Sequence, residues 1–545
     1  MTAPASRWAL RGLALAGPLI GIFAMAVDAS AVNVALPGIQ GDLDASTAGL
    51  QWVMGAYMAS VAASVVAVSR LGDILGRRRI FVYGLVVFGL GSLACGLAPD
   101  VPVLIASRVV QGVGGGAVYS LSLAVITSSR PPSELGKGVA AWAVAAGLAM
   151  SVAPLLGGLL ISAFDWRAVF LVNVPVVIVS LMLTTALLPE SRDEESGRHI
   201  DLPGALSLTA GLALLMTGII QGGTWGWSSP SVLGLLAGSA AAVVAFVAIE
   251  RRAADPLIDL RLFFGNLRFV ASNMLAVPAY GAIYAVLFLA PLFLQNIQGL
   301  SAAEVGLHLL PFPLAFFLLS RPVGRLVTRT GALRPMLIGA VLMIAAVLML
   351  SFAEADTGEA VLAVSFALLG AGQAFALIGI SSAALGSVPP GKAGAASGIR
   401  STASFAGGAL WVAMVGAILT ALERSELGDS TEALGRRLTT SELQDVEGLL
   451  SGSAAAQRAV AGLSPLDSDA VRAAAADAFV HGMSWALRLC AIVLALAAVA
   501  TLVLWRRAEG AERVQAPPPE HSPLHPHPPA WATLTRTHTV TEESA

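Results

Sequence analysis

The chain has 545 residues, of which 56% are hydrophobic and 12% charged, with a mean hydropathy of +0.78. Soluble domains carry about 25% charged residues, so the composition excludes a water-soluble globular chain and requires a polytopic α-helical membrane protein. A formal net charge of −2 offers nothing to a polyanion, and nucleic acid is not expected as a partner. In chain order, fourteen mostly apolar runs of 17–28 residues occur, at 14–36, 49–69, 80–97, 103–127, 139–162, 168–188, 203–221, 232–249, 269–294, 305–327, 336–352, 361–385, 395–422 and 483–504. Each is long enough to cross a hydrocarbon core of about 30 Å. The first run is too long for the core of a secretion signal and no clear cleavage site follows it, so it reads as a retained helix.

Charge in the gaps sets the orientation. Every second gap carries the basic residues: Arg70, Arg77, Arg78, Arg79, Arg130, Lys137, Arg192, Arg198, Arg251, Arg252, Arg261, Arg268, Arg329, Arg334 and Lys392. The short gaps on the other side carry Arg167 alone, beside Asp165. By the positive-inside rule both termini are cytoplasmic. Thirty of the 32 basic residues are Arg, which with the abundance of Ala and Gly points to a GC-rich bacterial source and hence to the bacterial inner (cell) membrane.

The gaps also divide the chain. Residues 1–13 are a cytoplasmic amino terminus and 14–188 a six-helix bundle; 189–268 hold two inserted helices between polar cytoplasmic linkers. The first linker contains Glu190, Arg192, Asp193, Glu194, Glu195 and Arg198, which belong in water. A second six-helix bundle spans 269–505. It includes an extracellular segment, 423–480, read as short surface helices with a Ser441-x-x-Gln444 cap. The tail, 506–545, is rich in Pro and His (Pro517, Pro518, Pro519, His521, His525, His527) and is expected to be disordered. Ser69-Arg-Leu-Gly-Asp-Ile-Leu-Gly76 closes the second span, and Gly324-Arg-Leu-Val-Thr-Arg-Thr-Gly331 closes the tenth with the same small-x-Leu-x-x-x-x-Gly spacing. Repeated helical bundles are the building plan of secondary transporters.

Ionisable groups inside a membrane are costly and mark function by default. Two lie well within spans, Asp28 and Arg108; Arg488 and His308 lie nearer the outer ends of theirs. Low dielectric favours the neutral form of a carboxyl, so a mid-span acid such as Asp28 can load and release a proton. A cationic substrate competing for it would couple proton uptake to substrate exit. Arg108 begins Arg108-Val-Val-Gln111-Gly112-Val-Gly-Gly-Gly116, in which Gln111 shares the Arg face and Gly112 and Gly116 permit close helix approach. For both charged groups the alternative is a static structural pair. The fifth span carries Ala145, Ala149, Ala153 and Gly157 at four-residue spacing, with Pro154 and Gly158 beside them. Such a face packs tightly and is placed to seal one side of a pathway. At the inner surface Asp73, beside Gly76, is placed to meet a helix amino terminus, and Arg77, Arg78 and Arg79 to pair with acids of a neighbouring loop; a solvated loop is the alternative. Asn33, Gln51, Trp52, Tyr57, Gln111, Asn273, Tyr280, Tyr284, Gln295 and Gln373 are candidates for an amphipathic substrate cavity, each otherwise a packing or interfacial residue.

These stretches resemble the major facilitator superfamily, in particular its fourteen-helix drug:proton antiporter branch. Ser69 to Arg78 is similar to the loop motif after helix two, with Ser69 where Gly is usual. Arg108-Val-Val-Gln-Gly112 is similar to the helix-four motif linked to proton coupling, and Ala153-Pro154-Leu-Leu-Gly157-Gly158 to the antiporter motif of helix five, with Ala153 in place of Gly. Asp28-Ala-Ser-Ala-Val-Asn33-Val-Ala-Leu-Pro37 and Trp166-Arg-Ala-Val-Phe-Leu-Val-Asn173-Val-Pro175 are similar to that branch's signatures in helices one and six. The resemblance covers about residues 14–422 and the last helix. It implies an all-α, major-facilitator-like fold of two six-helix bundles plus two additional helices, and proton-driven export of drugs, antibiotics or toxic metabolites by alternating access. A proton-coupled importer of a small organic solute on the same fold is the alternative. The second half has no mid-span acid, which favours neutral lipophilic or monocationic substrates over dications. In the repeat, Thr328 stands where an acid is often found. No phosphate-binding loop and no His-x-x-x-His pair occur in the spans, so neither ATP hydrolysis nor enzymatic chemistry is expected and no cofactor is called for. The expected partners are the substrate, protons and the lipid bilayer, and the expected state is a monomer.

Overall fold

The computed structural model describes residues 5–130, 134–192, 201–253, 266–389, 393–433 and 465–515, together with positions 256 and 260. They form helices and connecting turns, with no strand among the described residues. The helices are α1 (Ala5–Asp42), α2 (Thr47–Leu75), α3 (Arg77–Gly96), α4 (Val101–Ser128), α5 (Leu135–Ala163), α6 (Arg167–Leu171), α7 (Asn173–Leu187), α8 (Leu202–Trp225) and α9 (Pro230–Glu250). They continue with α10 (Leu267–Leu292), which passes into a π turn (Phe293–Ile297), then α11 (Ala302–His308), α12 (Pro311–Thr330), α13 (Leu333–Leu350), α14 (Glu359–Gly386), α15 (Ala393–Ala433) and α16 (Pro465–Gln515). Joined across their kinks, they supply 14 segments long and apolar enough to cross a membrane, as the spans predict.

Sequence chemistry starts these helices where the gaps predict. Ser46, Asp100, Asp201, Ser229 and Asn266 each accept a hydrogen bond from the backbone N–H three residues on. Ser301 and Glu304 form a reciprocal capping box at α11. Both ends of the sequence repeat are helix stops: Gly76 and Gly331 have φ of 115° and 77°, a region open to glycine at little steric cost.

The predicted boundaries need correction. The described ends of the segment 423–480 continue α15 to Ala433 and begin α16 at Pro465, and residues 434–464, with the short helices expected there, lie outside the described residues. The run Ala470-Val-Arg-Ala-Ala-Ala-Ala-Asp477 is rich in the strongest helix former and has no Gly or Pro to stop it. Likewise α1 begins at Ala5 and α16 runs to Gln515, beyond the predicted spans. The linker residues Asp193, Glu194, Glu195 and Arg198, together with Arg261, Lys392, the Ser441-x-x-Gln444 cap and the Pro- and His-rich tail, lie outside the described residues.

Helices α1 and α10 are the most deeply buried, each at the centre of its own group of helices. Small residues set the spacing around α4. Gly112 and Gly116 lie against Tyr57, Ser60 and Ser64 of α2, while Gly114 lies on the backbone of Phe88 in α3. Facing the other group, α5 presents Gly158 to Ala302 and the Pro154 carbonyl to Gly306 of α11, and Gly157 to Ala31 of α1. Nearby, the Gln295 side-chain amide donates to the Val34 carbonyl at 3.0 Å. This contact sits at the end of α5 that the charge rule assigns to the outside. Away from this contact, a side chain added at Gly147 near the middle of α5 or at Gly324 of α12 would meet nothing within 4 Å.

A second seam joins α2 and α15. Thr402 donates to the Ala62 carbonyl at 3.3 Å, and the Gln51 side chain lies on Gly416. Helix α8 lies against both, with Met216 on Gly55 and Gly223 against Ala417, whereas α9 is largely exposed.

Gly114→Val would push α3 and α4 apart, and overpacking of this kind costs about 1–3 kcal/mol. The expected result is a lower thermal midpoint for the detergent-solubilised protein. Gly234→Val, where an added side chain meets nothing within 4 Å, serves as the control and should leave the midpoint unchanged.

Candidate functional site

Asp28 lies in the middle of α1 with none of its side chain exposed. Its Oδ2 accepts from Arg108 Nη1 at 2.8 Å. Its Oδ1 accepts from Gln111 Nε2 at 2.8 Å and from Asn173 Nδ2 at 2.9 Å. Behind these donors, Ser92 Oγ accepts from both Gln111 (3.1 Å) and Asn173 (3.0 Å) and donates to the Phe170 carbonyl at 2.8 Å. Arg108 also donates from Nη1 to Gln111 Oε1 at 2.6 Å and from Nε to the Val53 carbonyl at 3.2 Å. Its guanidinium carbon stands 3.9 Å from the centre of the Tyr57 ring and 5.6 Å from that of Phe170. The Cys95 thiol points at Gln111 Oε1, 3.5 Å away. Donors from two helices therefore meet on the carboxyl of a third, and α2, α3 and α6 complete the network around them.

Every group facing the Asp28 carboxyl is a donor, the set that a carboxylate takes. Three donors fill three of the roughly four acceptor positions of a carboxylate, and Oδ2 takes only one of them, so Oδ2 is the oxygen that can accept a proton; protonation there cancels the charge that holds Arg108. Among the described residues its Nη2 has no hydrogen-bond partner, and the Tyr57 hydroxyl has none either. A buried pair of this kind contributes little net stability when intact, but it is costly to break one-sidedly.

The other sequence candidates divide by location. Gln111, expected in the cavity, belongs to the Asp28 network, and Gln295 belongs to the α5–α11 contact region. Asn33 and Asn273 turn their amide groups to carbonyls of their own helices, leaving Oδ1 of each buried and without a partner among the described residues. Gln51 is buried with both polar atoms unpartnered among the described residues, as is Oε1 of Gln373. Trp52 is half-buried against the main core. Tyr280 and Tyr284 fall together on the side of α10 that meets α15, with the Tyr284 ring on Gly408. Ala153, Pro154, Gly157 and Gly158 lie in the α5 contact described above.

At the motif that the charge rule places on the inner side, the roles differ from expectation. Asp73 does not occupy a helix amino terminus; it pairs with Arg77 one turn on, at 2.8 Å. Glu190 takes that place, accepting the backbone N–H groups of Arg78 (3.0 Å) and Arg79 (3.1 Å) at the start of α3. The reason is geometric. The left-handed turn at Gly76 leaves no room for a side chain because the Glu190 carboxylate fills it. The Arg78 guanidinium donates to the Thr185 carbonyl, and the Arg77 N–H donates to the Ser191 carbonyl at 2.8 Å. In the repeat, Thr328 donates to the Arg325 carbonyl of its own helix. On the outer face Arg167 pairs with Asp42 at 2.5 Å, while Asp165 accepts the Arg167 backbone N–H.

Sequence reading missed three participants. Asn173 was visible only as part of a motif, and Ser92 gave no signal among many membrane serines. Arg400 lies inside a predicted span, so the statement that Asp28 and Arg108 are the two mid-span charges is corrected; Arg321 and Arg325 also fall within a predicted span but are exposed. Arg400 donates from Nη1 to the Tyr280 hydroxyl and from Nη2 to Ser401 Oγ, both at 3.4 Å. The Arg488 guanidinium, by contrast, lies over Phe352 and Trp485 at 5.1 and 5.4 Å.

Arg108→Ala leaves the Asp28 carboxylate buried without its counter-charge and should destabilise the protein by about 3–5 kcal/mol. Adding Asp28→Asn to that variant should recover much of the loss, since the stranded charge is then gone. Thermal midpoints of the two singles and the double measure this coupling directly.

The comparisons with known proteins agree with this architecture. The model of the Major Facilitator Superfamily matches residues 19–412. The chain is 37% identical over 403 residues to a multidrug resistance protein, Stp, of Mycobacterium tuberculosis, covering 74% of each chain. It is 31% identical over 509 residues, 93% of each chain, to the tetracenomycin C resistance and export protein of Streptomyces glaucescens. It is also 34% identical to a lincomycin resistance protein of Streptomyces lincolnensis, covering 72% of this chain and 80% of that one. Among solved structures, a bacterial homolog of the lysosomal transporter Spinster in an inward-facing conformation aligns with a TM-score of 0.64 at 16% identity, covering 93% of this chain and 99% of that one; this likeness bears on the fold alone. With 14 candidate spans, a family match over most of the bundle and relatives named for drug resistance and export, this multi-pass membrane protein belongs to the Major Facilitator Superfamily and is a transporter, not an enzyme.

Proposed function

We propose that the protein is a proton-coupled antiporter that exports drugs, antibiotics or toxic metabolites by alternating access. The observation that carries this reading is the sealed Asp28 carboxyl with its three donors. Protonation of this buried acid removes the charge that holds Arg108, which ties proton loading to the packing of α1 against α4. Asp28 and Arg108 are the proton-coupling pair, with Gln111 and Asn173 as the donors that release or reclaim the carboxylate.

The arrangement of the helices supports alternation. Two six-helix groups, 14–188 and 269–505, rock about a central site, and the inserted pair 189–268 rides on the α2–α15 seam. The small-residue contact of α5 with α11 closes the outer side, while the open space at Gly147 and Gly324 lies away from it. Both termini are cytoplasmic by the charge rule, the membrane is the bacterial inner membrane, and the working unit is a monomer. The driving force is sufficient for the task, since one charge moved across 100 mV is worth about 2.3 kcal/mol. Relatives named for resistance to tetracenomycin C, lincomycin and multiple drugs support bulky organic substrates leaving the cell.

Inside-out vesicles energised by respiration test the reading. They should accumulate a fluorescent lipophilic compound, and collapsing the pH gradient should abolish that accumulation. Accumulation that persists without the gradient would overturn antiport. Asp28→Asn, compared with the parent at matched amounts of folded protein in the membrane, should lose gradient-driven uptake. At the outer seal, Gly158→Leu overpacks the closed arrangement by about 1–3 kcal/mol, enough to shift the balance of states roughly 5- to 150-fold. Transport should fall accordingly, with protein levels in the membrane unchanged.

A further inference from the structure

Arg400 carries a charge that the proton-coupling network does not use. It stands two turns inside α15, on the side facing the other half of the molecule. Its hydrogen bonds to Tyr280 and Ser401 are both 3.4 Å long and both go to neutral hydroxyls, and the Tyr119 hydroxyl lies beside it. A guanidinium has five N–H donors, so most of its capacity is unspent. No acid is among its partners in the described residues. The contrast with Arg108, which is neutralised by Asp28, is direct. A cation enclosed in a membrane bundle without a counter-charge is unfavourable unless something brings one.

The walls around it are aromatic. The Tyr119 ring meets Phe405 edge-on at 5.2 Å and 90°, and Trp142 at 6.0 Å and 72°. Trp142 is held in place by donating to Ser122 Oγ at 2.8 Å. Tyr119 and Trp142 come from α4 and α5, in the first half; Tyr280, Arg400 and Phe405 come from α10 and α15, in the second. Whatever binds here is therefore touched by both halves, as a transported molecule must be.

We infer that Arg400, walled by Tyr119, Trp142, Tyr280 and Phe405, binds the negatively charged group of a planar aromatic substrate, a phenolate or carboxylate. That this ligand is the exported substrate rests on the reading given under Proposed function. The guanidinium plane matches a carboxylate or phenolate oxygen with paired N–H donors, and the rings stack against the flat remainder of the molecule. Counting mid-span acids in the sequence favoured neutral or monocationic substrates. The unpaired charge facing the other half reverses that sign.

Full-length protein in lipid nanodiscs, titrated with two dyes of the same xanthene frame, tests this by fluorescence anisotropy. Fluorescein is anionic at neutral pH and rhodamine 123 is cationic. The expected result is tighter binding of fluorescein by about tenfold or more, the scale of a charge-assisted hydrogen bond. Equal affinity, a preference for rhodamine 123, or no fluorescein binding overturns the inference without reference to any variant. Arg400→Gln should weaken fluorescein by about tenfold or more and leave rhodamine 123 within about twofold. Arg400→Lys, which keeps the charge but loses the planar fork, should fall between. Equal loss of both dyes in Arg400→Gln would show a structural role only and overturn the inference. The measurement needs no proton gradient. Binding of fluorescein without export in vesicles would sink the export reading alone, and gradient-driven export of rhodamine 123 with no fluorescein binding would sink this inference alone.

Discussion

A carboxylate enclosed in protein within a membrane has to find donors in place of water, and the first half of this molecule is organised around meeting that need for Asp28. The three donors come from α4 and α7, the residue behind them from α3, and the ring that covers Arg108 from α2. Such convergence requires closely approaching helices, and the glycines of α4 provide it: Gly112, Gly114 and Gly116 let α2 and α3 come within reach of the Arg108 face. The chemistry and the packing are thus one constraint. A bulkier α4 would separate the donors as well as the helices.

The two halves share a repeat but not a charge arrangement. In the first, an acid and a base cancel one another; in the second, Arg400 is answered by hydroxyls and rings. The cytoplasmic turns differ in the same way. Gly76 is locked by the Glu190 carboxylate, while a side chain at Gly331 would meet nothing within 4 Å and Thr328 donates to a carbonyl of its own helix. Under the reading proposed above, the proton would be held within the first half, while the ligand would lie between the two, against Tyr119 and Trp142 of one and Arg400 of the other.

How much of this could be read from sequence follows from the physics of each feature. Membrane spans are legible because length and hydropathy are set by the bilayer. An orientation can be proposed from sequence because Arg in short gaps counts directly. Asp28, Arg108 and Gln111 stand out because charge and amide are rare in such surroundings. Ser92 does not, since a membrane serine more often bonds to its own helix, as Ser107 and Ser120 do here. Glu190 looked like linker charge, and its capping of α3 depends on a turn that is adjacent in space but more than 110 residues earlier in the chain. Arg400 lay within a run that was apolar on average, so averaging concealed it. The ends of α15 and α16 were misjudged for the opposite reason. Polarity marked them as leaving the membrane, which says nothing about whether the helix stops.

The last of those helices has a mechanical consequence. At 51 residues, α16 is about 77 Å long at 1.5 Å per residue, more than twice the thickness of the hydrocarbon it crosses. It packs on α10, α13 and α15 and so moves with the second half. Under the proposed alternating access its overhanging ends would act as lever arms, magnifying a small tilt of the bundle into a displacement of several ångströms in the surrounding water. A spin or fluorescent label on an overhang would then report that motion from outside the bilayer, with nothing placed near the pathway itself.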